Sequence, residues 1–357
     1  MCIYYKNRTG LSYTSKEHVF PAGIGGVFSL APGIVSDEFN NEISKLEQSF
    51  LRDSFVGIGR QIEGPGKRGS LEQNKATKSR VHLIRDTADP NSFSLGYVML
   101  RRTHEIPQVL LDTSTGHLVF SFDKSVTSDH QKVMNEFAAA CSDFESLKIR
   151  TFNDDRLPEN LLLFGIAEKV EEHYNSFFLV NGKSQGKATE KLIHTIGQSV
   201  INSSSGPTVK TYRPQSQLKA KFDVEHFRIH AKIAFNALAY LKGSDFVLDD
   251  RFDRLRSWIT NGGTNSFAYY NNLPPVFLED EGKTPRNIHY VMFTVIENVL
   301  MAQVGFYGAL KSDILLCDNF SEKIVDGIIC DWTNHRDLTF VDFLNEYEQK
   351  ARNTLHR

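Results

Sequence analysis

The sequence lacks three features that would assign it to a class at once. It has only four cysteines among 357 residues, and no two form a C-x-x-C pair, so neither a disulfide framework nor a complete zinc site is predicted. No apolar run approaches the roughly 18 residues of a membrane-spanning helix. The first residues carry charges without the apolar stretch of a secretion signal. We therefore expect a cytoplasmic protein with reduced thiols and no membrane partner.

The sequence also lacks a large excess of either charge. It contains 41 Lys and Arg against 43 Asp and Glu, a net charge of −2, which argues against a protein that coats nucleic acid through bulk positive charge. A local basic groove is still compatible with this total. The apolar fraction of 40% excludes a disordered chain. A chain of this length is expected to form about two or three domains.

The hydrophobic pattern changes along the chain and predicts an α+β fold. Residues 1–90 are irregular and rich in glycine, with one helix predicted over Ile34 to Leu51. Residues 91–200 contain strand-like runs, a hairpin and helices. Residues 201–357 begin with a Ser- and Pro-containing stretch, followed by a periodic helix after Asp223 and an antiparallel meander. We predict one domain in each region, and we leave open whether the second and third form a single domain.

Residues near the N-terminus suit the hydrolysis of a phosphodiester. This reaction needs a base to activate water and a cation to neutralise charge on the phosphate and the leaving oxygen. His18 is the candidate base, because histidine exchanges a proton near neutral pH. Glu17 and the side-chain oxygen of Asn40 are the hard oxygen ligands that Mg²⁺ or Mn²⁺ prefers, and Asn41 is the alternative ligand.

The adjacency of Glu17 and His18 restricts the local backbone. Adjacent side chains of a regular strand point to opposite faces, so both can serve one metal–water pair only at a strand end or a bulge. Pro21 follows closely, with Gly25 and Gly26 beyond it. These residues predict that the strand ends here.

These residues stand in a pattern that resembles a known family. Glu17-His18, two apolar residues and Pro21 are followed by a Gly-Gly pair, and then by Asn40-Asn41 in a predicted helix. This order resembles the HNH endonucleases, which have a ββα-metal fold, and in particular the subfamily with the motif E-H-I-I-P. The resemblance covers about residues 1–69. Two later stretches, Ala-Lys-Ile-Ala-Phe-Asn-Ala-Leu-Ala from residue 231 and Phe-Asp-Arg-Leu-Arg-Ser-Trp-Ile from residue 252, are similar to its C-terminal region.

The resemblance implies an endonuclease that acts on DNA rather than RNA, in a bacterial or phage setting such as restriction or antiviral defence. It implies an N-terminal ββα-metal module followed by a larger mixed α+β region. His18 would be the general base, while Glu17 and Asn40 would hold one Mg²⁺ or Mn²⁺ ion. The residue that orients the base is left unassigned.

The cysteines of the family's structural zinc site are mostly replaced in this chain. Their four positions hold Cys2, Tyr5, Ser36 and Phe39, so no structural zinc is expected. Tyr5, Phe28 and Phe39 are expected to form a small apolar plug that keeps the two ends of the motif together.

A basic segment follows the predicted helix. Residues 57–85 contain seven Lys and Arg against two Glu, a net charge of +5 in a molecule whose total is −2. Such a segment could position a nucleic-acid backbone, and an ordinary solvated loop is the alternative. The phosphate-binding candidates are Arg60, Lys67, Arg68, Lys75 and Lys78.

The sequence therefore predicts a metal-dependent DNA endonuclease. The alternative is a regulatory protein that binds nucleic acid or protein and in which the nuclease-like module is inactive. Because an uncontrolled endonuclease would endanger its host, we expect control by a partner protein or by self-association. The stretch His335-Arg336-Asp337 imitates a kinase catalytic loop, but no Asn follows at the required spacing and the stretch receives no role.

Overall fold

The described residues form a mixed α+β structure built on three sheets. The computed structural model describes residues 1–87, 89, 92–123, 129–183, 187–202, 214–271 and 287–355. The chain forms two compact units, the first made of Met1–Thr77 with Lys219–Arg357 and the second of Lys78–Leu218. The α+β class predicted from the sequence is confirmed.

The elements follow one another in this order. The helices are α1 (Asp37–Asp53), α2 (Phe55–Ile62), α3 (His130–Ser142), α4 (Glu190–Asn202), α5 (Phe227–Lys242), α6 (Ser244–Val247), α7 (Asp253–Asn261) and α8 (Phe340–Leu355). The strands are β1 (His82–Asp86), β2 (Phe93–Met99), β3 (Arg102–Glu105), β4 (Gln108–Asp112), β5 (Leu118–Ser121), β6 (Leu147–Asn153), β7 (Leu161–Val170), β8 (His173–Val180), β9 (Pro214–Ser216), β10 (Ala268–Tyr270), β11 (Ile288–Ile296), β12 (Val299–Phe306), β13 (Leu310–Cys317), β14 (Asp326–Asp331) and β15 (Arg336–Thr339).

The sheets are distributed over the two units. The first unit holds a six-stranded sheet of order β10-β13-β12-β11-β14-β15. The second unit holds a four-stranded sheet, β3-β2-β1-β9, and a five-stranded sheet, β5-β4-β7-β8-β6. The neighbouring strands are antiparallel, apart from the parallel pair β6 and β8.

The division into units differs from the three consecutive regions, 1–90, 91–200 and 201–357, that the sequence suggests. The reason is a shared core, because Ile3 and Phe39 lie in the same hydrophobic cluster as Phe235 and Trp332. The N-terminal segment is therefore completed by apolar residues from the end of the chain. The middle region is a unit of its own, with two hydrophobic clusters.

Most predicted elements are present with shifted ends. Helix α1 begins after Ser36, whose hydroxyl accepts a hydrogen bond from the Phe39 amide at 3.4 Å. The predicted meander is β11, β12 and β13. Helix α3 is capped by Asp129, whose side chain accepts a hydrogen bond from the Lys132 amide. Most of the Ser- and Pro-containing stretch that begins the third region lies outside the described residues, and its described end contains β9.

Helix α5 is the central element of the first unit. Twelve of its sixteen residues are buried, because it packs against α1, α7 and the six-stranded sheet. The apolar spacing predicts one buried side, but the helix is enclosed around most of its circumference. Its buried residues include Lys232 and Asn236, and buried polar groups of this kind need partners. In the described part of the chain, no helix is long and apolar enough to cross a membrane.

Candidate functional site

Residues 17–30 form a short hairpin, which we call the hairpin segment. Its tip is a 3-10 turn at Ala22–Ile24. The two arms are joined by an isolated antiparallel bridge between His18 and Ser29, which consists of two hydrogen bonds. The Val19 amide donates to the Phe28 carbonyl at 2.9 Å, and the Leu30 amide donates to the Glu17 carbonyl at 2.8 Å. Helix α1 follows this segment. The pairing is limited to this bridge, so the segment does not contain two regular strands.

The Gly25-Gly26 pair is required by the tight return of this hairpin. Gly25 has a φ of +96°, and a Cβ there would lie 2.4 Å from the Cβ of Trp332. A Cβ on Gly26 would lie 2.0 Å from the carbonyl oxygen of Phe20. Only glycine fits these two close approaches, so the pair has a structural role.

The Glu17 carboxylate is held by helix α5. Its Oε1 accepts hydrogen bonds from the Nζ of Lys232 and, at 3.0 Å, from the Nδ2 of Asn236. The same Nζ donates to Oε2 of Glu47 on α1 at 2.7 Å. Burial alone would lower the pKa of Lys232, but the Glu17 and Glu47 carboxylates raise it above its ordinary value. Lys232 is therefore a charged ammonium enclosed between two acids.

Asn236 also fixes the backbone of the candidate base. Its Nδ2 donates to the carbonyl oxygen of His18 at 3.0 Å, and its Oδ1 accepts from the Tyr4 hydroxyl at 2.6 Å. Burial raises the pKa of Tyr4, so its hydroxyl remains a neutral donor. The Glu17-His18 dipeptide is thus held through its backbone and through the Glu17 side chain.

The His18 imidazole has no hydrogen-bond partner among the described residues, and it is half-buried. Asp337 on β15 is close enough that a charged His18 ring lowers its pKa. Oδ2 of Asp337 accepts from the amides of Val27 at 2.9 Å and Phe28 at 2.6 Å. The buried thiol of Cys330 on β14 also hydrogen-bonds this carboxyl. Asp337 therefore connects the C-terminal sheet to the arm of the hairpin opposite His18.

The Asn40 side chain bonds to Ser15, just before the hairpin segment, whereas Asn41 is exposed. The Nδ2 of Asn40 donates to the hydroxyl of Ser15 at 3.2 Å. Its Oδ1 is buried and accepts no hydrogen bond from any described residue. A buried carbonyl oxygen without a donor is unusual and is available to a cation or a water molecule. The geometry therefore favours Asn40 over Asn41 as a ligand.

Glu17 and Asn40 meet only part of the requirements of a divalent-cation site. Asn40 offers an available oxygen, but Oε1 of Glu17 is already engaged, which leaves its Oε2. Within the described ranges, no group of three or more His, Cys, Asp and Glu side chains is arranged to hold a metal ion. A site made by Glu17 and Asn40 would leave most coordination positions to water and phosphate, as Mg²⁺ commonly requires.

The positions of the family's zinc cysteines lie close together. The Sγ of Cys2 accepts a hydrogen bond from the Ser36 amide at 3.4 Å. The ring of Tyr5 contacts the edge of Phe39, with 5.8 Å between centroids. Phe28 instead stacks on a tyrosine of α5 at 4.6 Å. The expected apolar contact thus forms between Tyr5 and Phe39, without Phe28.

The candidate phosphate-binding residues of the basic segment have different environments. Arg60 is only 7% exposed, and its guanidinium donates to the carbonyls of Leu51 at 3.0 Å and Gly66 at 3.3 Å. This arginine supports the chain around α2. Lys75 is exposed and forms an ion pair with Glu72 at 2.8 Å.

The other three candidates are divided between the two units. Lys78 belongs to the second unit, where it pairs with Glu168 at 3.6 Å and lies over an aromatic ring. Lys67 and Arg68 belong to the first unit and are exposed. They lie on a short turn, Lys67–Gly69, that packs against the tip of the hairpin segment. These two residues are therefore the basic candidates beside the tip of the hairpin segment.

Sequence reasoning missed the residues that hold the hairpin segment from a distance. Lys232 and Asn236 are four positions apart and hence on one face of α5, as two polar residues within an apolar run. That pattern was a usable signal for a buried polar contact. Asp337 lies in the stretch that imitates a kinase loop and received no role. Nothing in the sequence around Glu47 indicates that it contacts Lys232.

Comparisons of the chain with protein-family models, with curated proteins and with solved structures found no match. The resemblance to HNH endonucleases is therefore carried by the residues of this chain alone, and membership of that family stays a hypothesis.

Proposed function

We propose that this protein hydrolyses phosphodiester bonds in nucleic acid, as an HNH-type endonuclease that depends on Mg²⁺ or Mn²⁺. One observation carries the proposal. The His18 imidazole has no hydrogen-bond partner among the described residues, while the backbone and the acidic neighbour of His18 are held by α5. A general base needs this combination of a fixed position and a ring nitrogen that is available to water.

In the proposed reaction, the His18 imidazole takes the proton of the attacking water. The nearby Asp337 carboxylate stabilises the imidazolium that results. Asn236 keeps the dipeptide in place through the carbonyl oxygen of His18. A divalent cation on Asn40 Oδ1 and Glu17 Oε2 would, when bound, neutralise charge on the phosphate and the leaving oxygen.

The substrate and setting come from the family resemblance. It favours DNA over RNA, and bacterial restriction or antiviral defence in the cytoplasm, with control by a partner protein or by self-association. Lys67 and Arg68 are the proposed phosphate contacts, because both are exposed beside the hairpin segment. Arg60 is left out because its guanidinium is buried and bonded to backbone carbonyls.

The test is cleavage of a plasmid and of an RNA with Mg²⁺ or Mn²⁺. We expect His18→Ala to reduce the cleavage rate by about 10² to 10⁴ fold, the usual contribution of a general base. His117→Ala, at an exposed histidine of the second unit, is the matched control and should leave the rate unchanged. Cleavage that survives His18→Ala would contradict the assignment.

A second candidate is a binding protein whose nuclease-like module is inactive. It is favoured by the ion pair with Lys232, which already neutralises Glu17. This alternative predicts no cleavage of any substrate with either cation, while binding persists. If the ligand is nucleic acid, Lys67→Ala with Arg68→Ala should make the dependence of log K on log salt shallower by about 2, one unit for each phosphate contact. An unchanged slope would remove these residues from the contact surface.

A further inference from the structure

The Lys232 ammonium lies against the Glu17 carboxylate that is proposed to hold the cation. Its Nζ contacts Oε1 of Glu17 and Oε2 of Glu47. The side chain of Lys232 is 3% exposed, and those of Glu17 and Glu47 are 12% and 25% exposed. One ammonium and two carboxylates leave a net negative charge in a poorly solvated place, and such a charge attracts a further cation.

Because Lys232 is paired with both Glu17 and Glu47, it can release one carboxylate and still be paired with the other. A buried ammonium without an opposing charge is strongly unfavourable. Glu47 comes from α1 and Glu17 from the hairpin segment, so the two carboxylates are held by different elements. Lys232 can therefore stay paired with Glu47 when Glu17 turns to another cation.

We infer that Lys232 is an internal competitor for the divalent cation and sets the affinity of Glu17 for it. The inference rests on the proposed function for the identity of the cation. The competition follows from charge, because the single negative charge of Glu17 cannot fully neutralise both an ammonium at Oε1 and a divalent ion at Oε2. Glu17 thus stays paired with Lys232 until a divalent cation displaces the ammonium.

The experiment measures Mn²⁺ binding to the full chain by titration calorimetry, without nucleic acid. The decisive variant combines Lys232→Met with Glu47→Gln. It removes one positive and one negative charge, so the net charge is kept and Glu17 has no competitor. We expect it to bind Mn²⁺ at least about tenfold more tightly than the wild type, which corresponds to about 1.4 kcal/mol. Adding Glu17→Gln should abolish this gain.

A single substitution tests the same idea in the opposite direction. Glu47→Gln leaves Lys232 with Glu17 as its remaining acid, so Mn²⁺ should bind more weakly than to the wild type. This variant keeps the ion pair with Glu17 and gives a result even if the double variant does not fold. Tryptophan fluorescence during thermal unfolding checks that each variant is folded, because both tryptophans lie in the first unit.

The outcomes separate this inference from the proposed function. Mn²⁺ affinity that does not respond to Lys232→Met with Glu47→Gln overturns the inference, even if the wild type cleaves DNA. A gain that persists with Glu17→Gln overturns it as well. If the wild type binds no Mn²⁺ but the double variant does, then Lys232 holds the cation position, which supports the inference and contradicts metal-dependent cleavage.

Discussion

Asp337 holds the hairpin segment against the six-stranded sheet through the amides of Val27 and Phe28. Burial raises the pKa of Asp337, and the hydrogen bonds from these amides and from Cys330, together with the nearby His18, offset only part of the rise. The folded protein therefore keeps a proton on this carboxyl to a higher pH than the unfolded chain does. The stability that the protonated Asp337 carboxyl contributes is complete below the pKa of Asp337 in the unfolded chain. It is lost as the pH rises through the pKa of Asp337 in the folded protein.

Asp337→Asn should remove this pH dependence, because an amide does not titrate. We expect the melting temperature of the variant, relative to that of the wild type, to rise between about pH 4 and pH 7. Thermal unfolding of both proteins at several pH values gives the two melting temperatures. Subtracting one from the other removes the effect of the groups that titrate alike in both proteins. Asp318→Asn, at a half-exposed carboxylate, is the control and should show no trend. A flat difference for Asp337→Asn would contradict the burial of its charge.

At the scale of elements, the hairpin segment depends on the close approach of Gly26 to Phe20. We expect Gly26→Ala to destabilise the protein by about 3 kcal/mol or more, because its methyl group would overlap a backbone carbonyl that cannot move alone. Gly33→Ala is the matched control: Gly33 has a φ of +90° but open space around it. It should cost about 1 to 2 kcal/mol, the strain of a left-handed residue.

Chemical denaturation followed by tryptophan fluorescence measures both values. Gly26→Ala should also lower cleavage, because the displaced arm carries the residues that pair with His18 and Val19. Equal destabilisation by Gly26→Ala and Gly33→Ala would contradict the close approach of Gly26 to the Phe20 carbonyl.

The elements could be predicted from the sequence where their signals are local. The helical spacing in α1 and the apolar runs of β11 and β12 depend on neighbouring residues only. The site could be predicted only in part, because its supports are distant. Lys232 is 215 positions from Glu17, and no spacing within the hairpin segment indicates which helix will pack on it.

At the scale of the whole molecule, the two units are built differently. The second unit, Lys78–Leu218, is one continuous stretch with its own hydrophobic clusters. The first unit draws its core from both ends of the chain, since Ile3 and Phe39 share a cluster with Phe235 and Trp332. If residues 1–77 are separated from the rest of the chain, they therefore lack the partners that bury their apolar side chains.

Residues 78–218 expressed alone should fold and unfold cooperatively, whereas residues 1–77 alone should stay unfolded. Circular dichroism during heating and the dispersion of amide NMR signals are suitable measurements, because this unit contains no tryptophan. The full chain serves as the reference for native signals. A folded 1–77 fragment would show that the N-terminal module is independent, as the three-region prediction had it.

The distance between the hairpin segment and its supports has a consequence during synthesis. His18 leaves the ribosome long before Asn236, which binds its carbonyl, and before Asp337, which lies 310 positions beyond Val27. At about 5 to 20 residues per second, synthesis of this stretch takes about 15 to 60 s. An unfinished chain thus displays His18 without the groups that hold it in place. On the proposed function, translation would delay nuclease activity until Asp337 has been made, which would spare the nucleic acids of the cell that makes the protein.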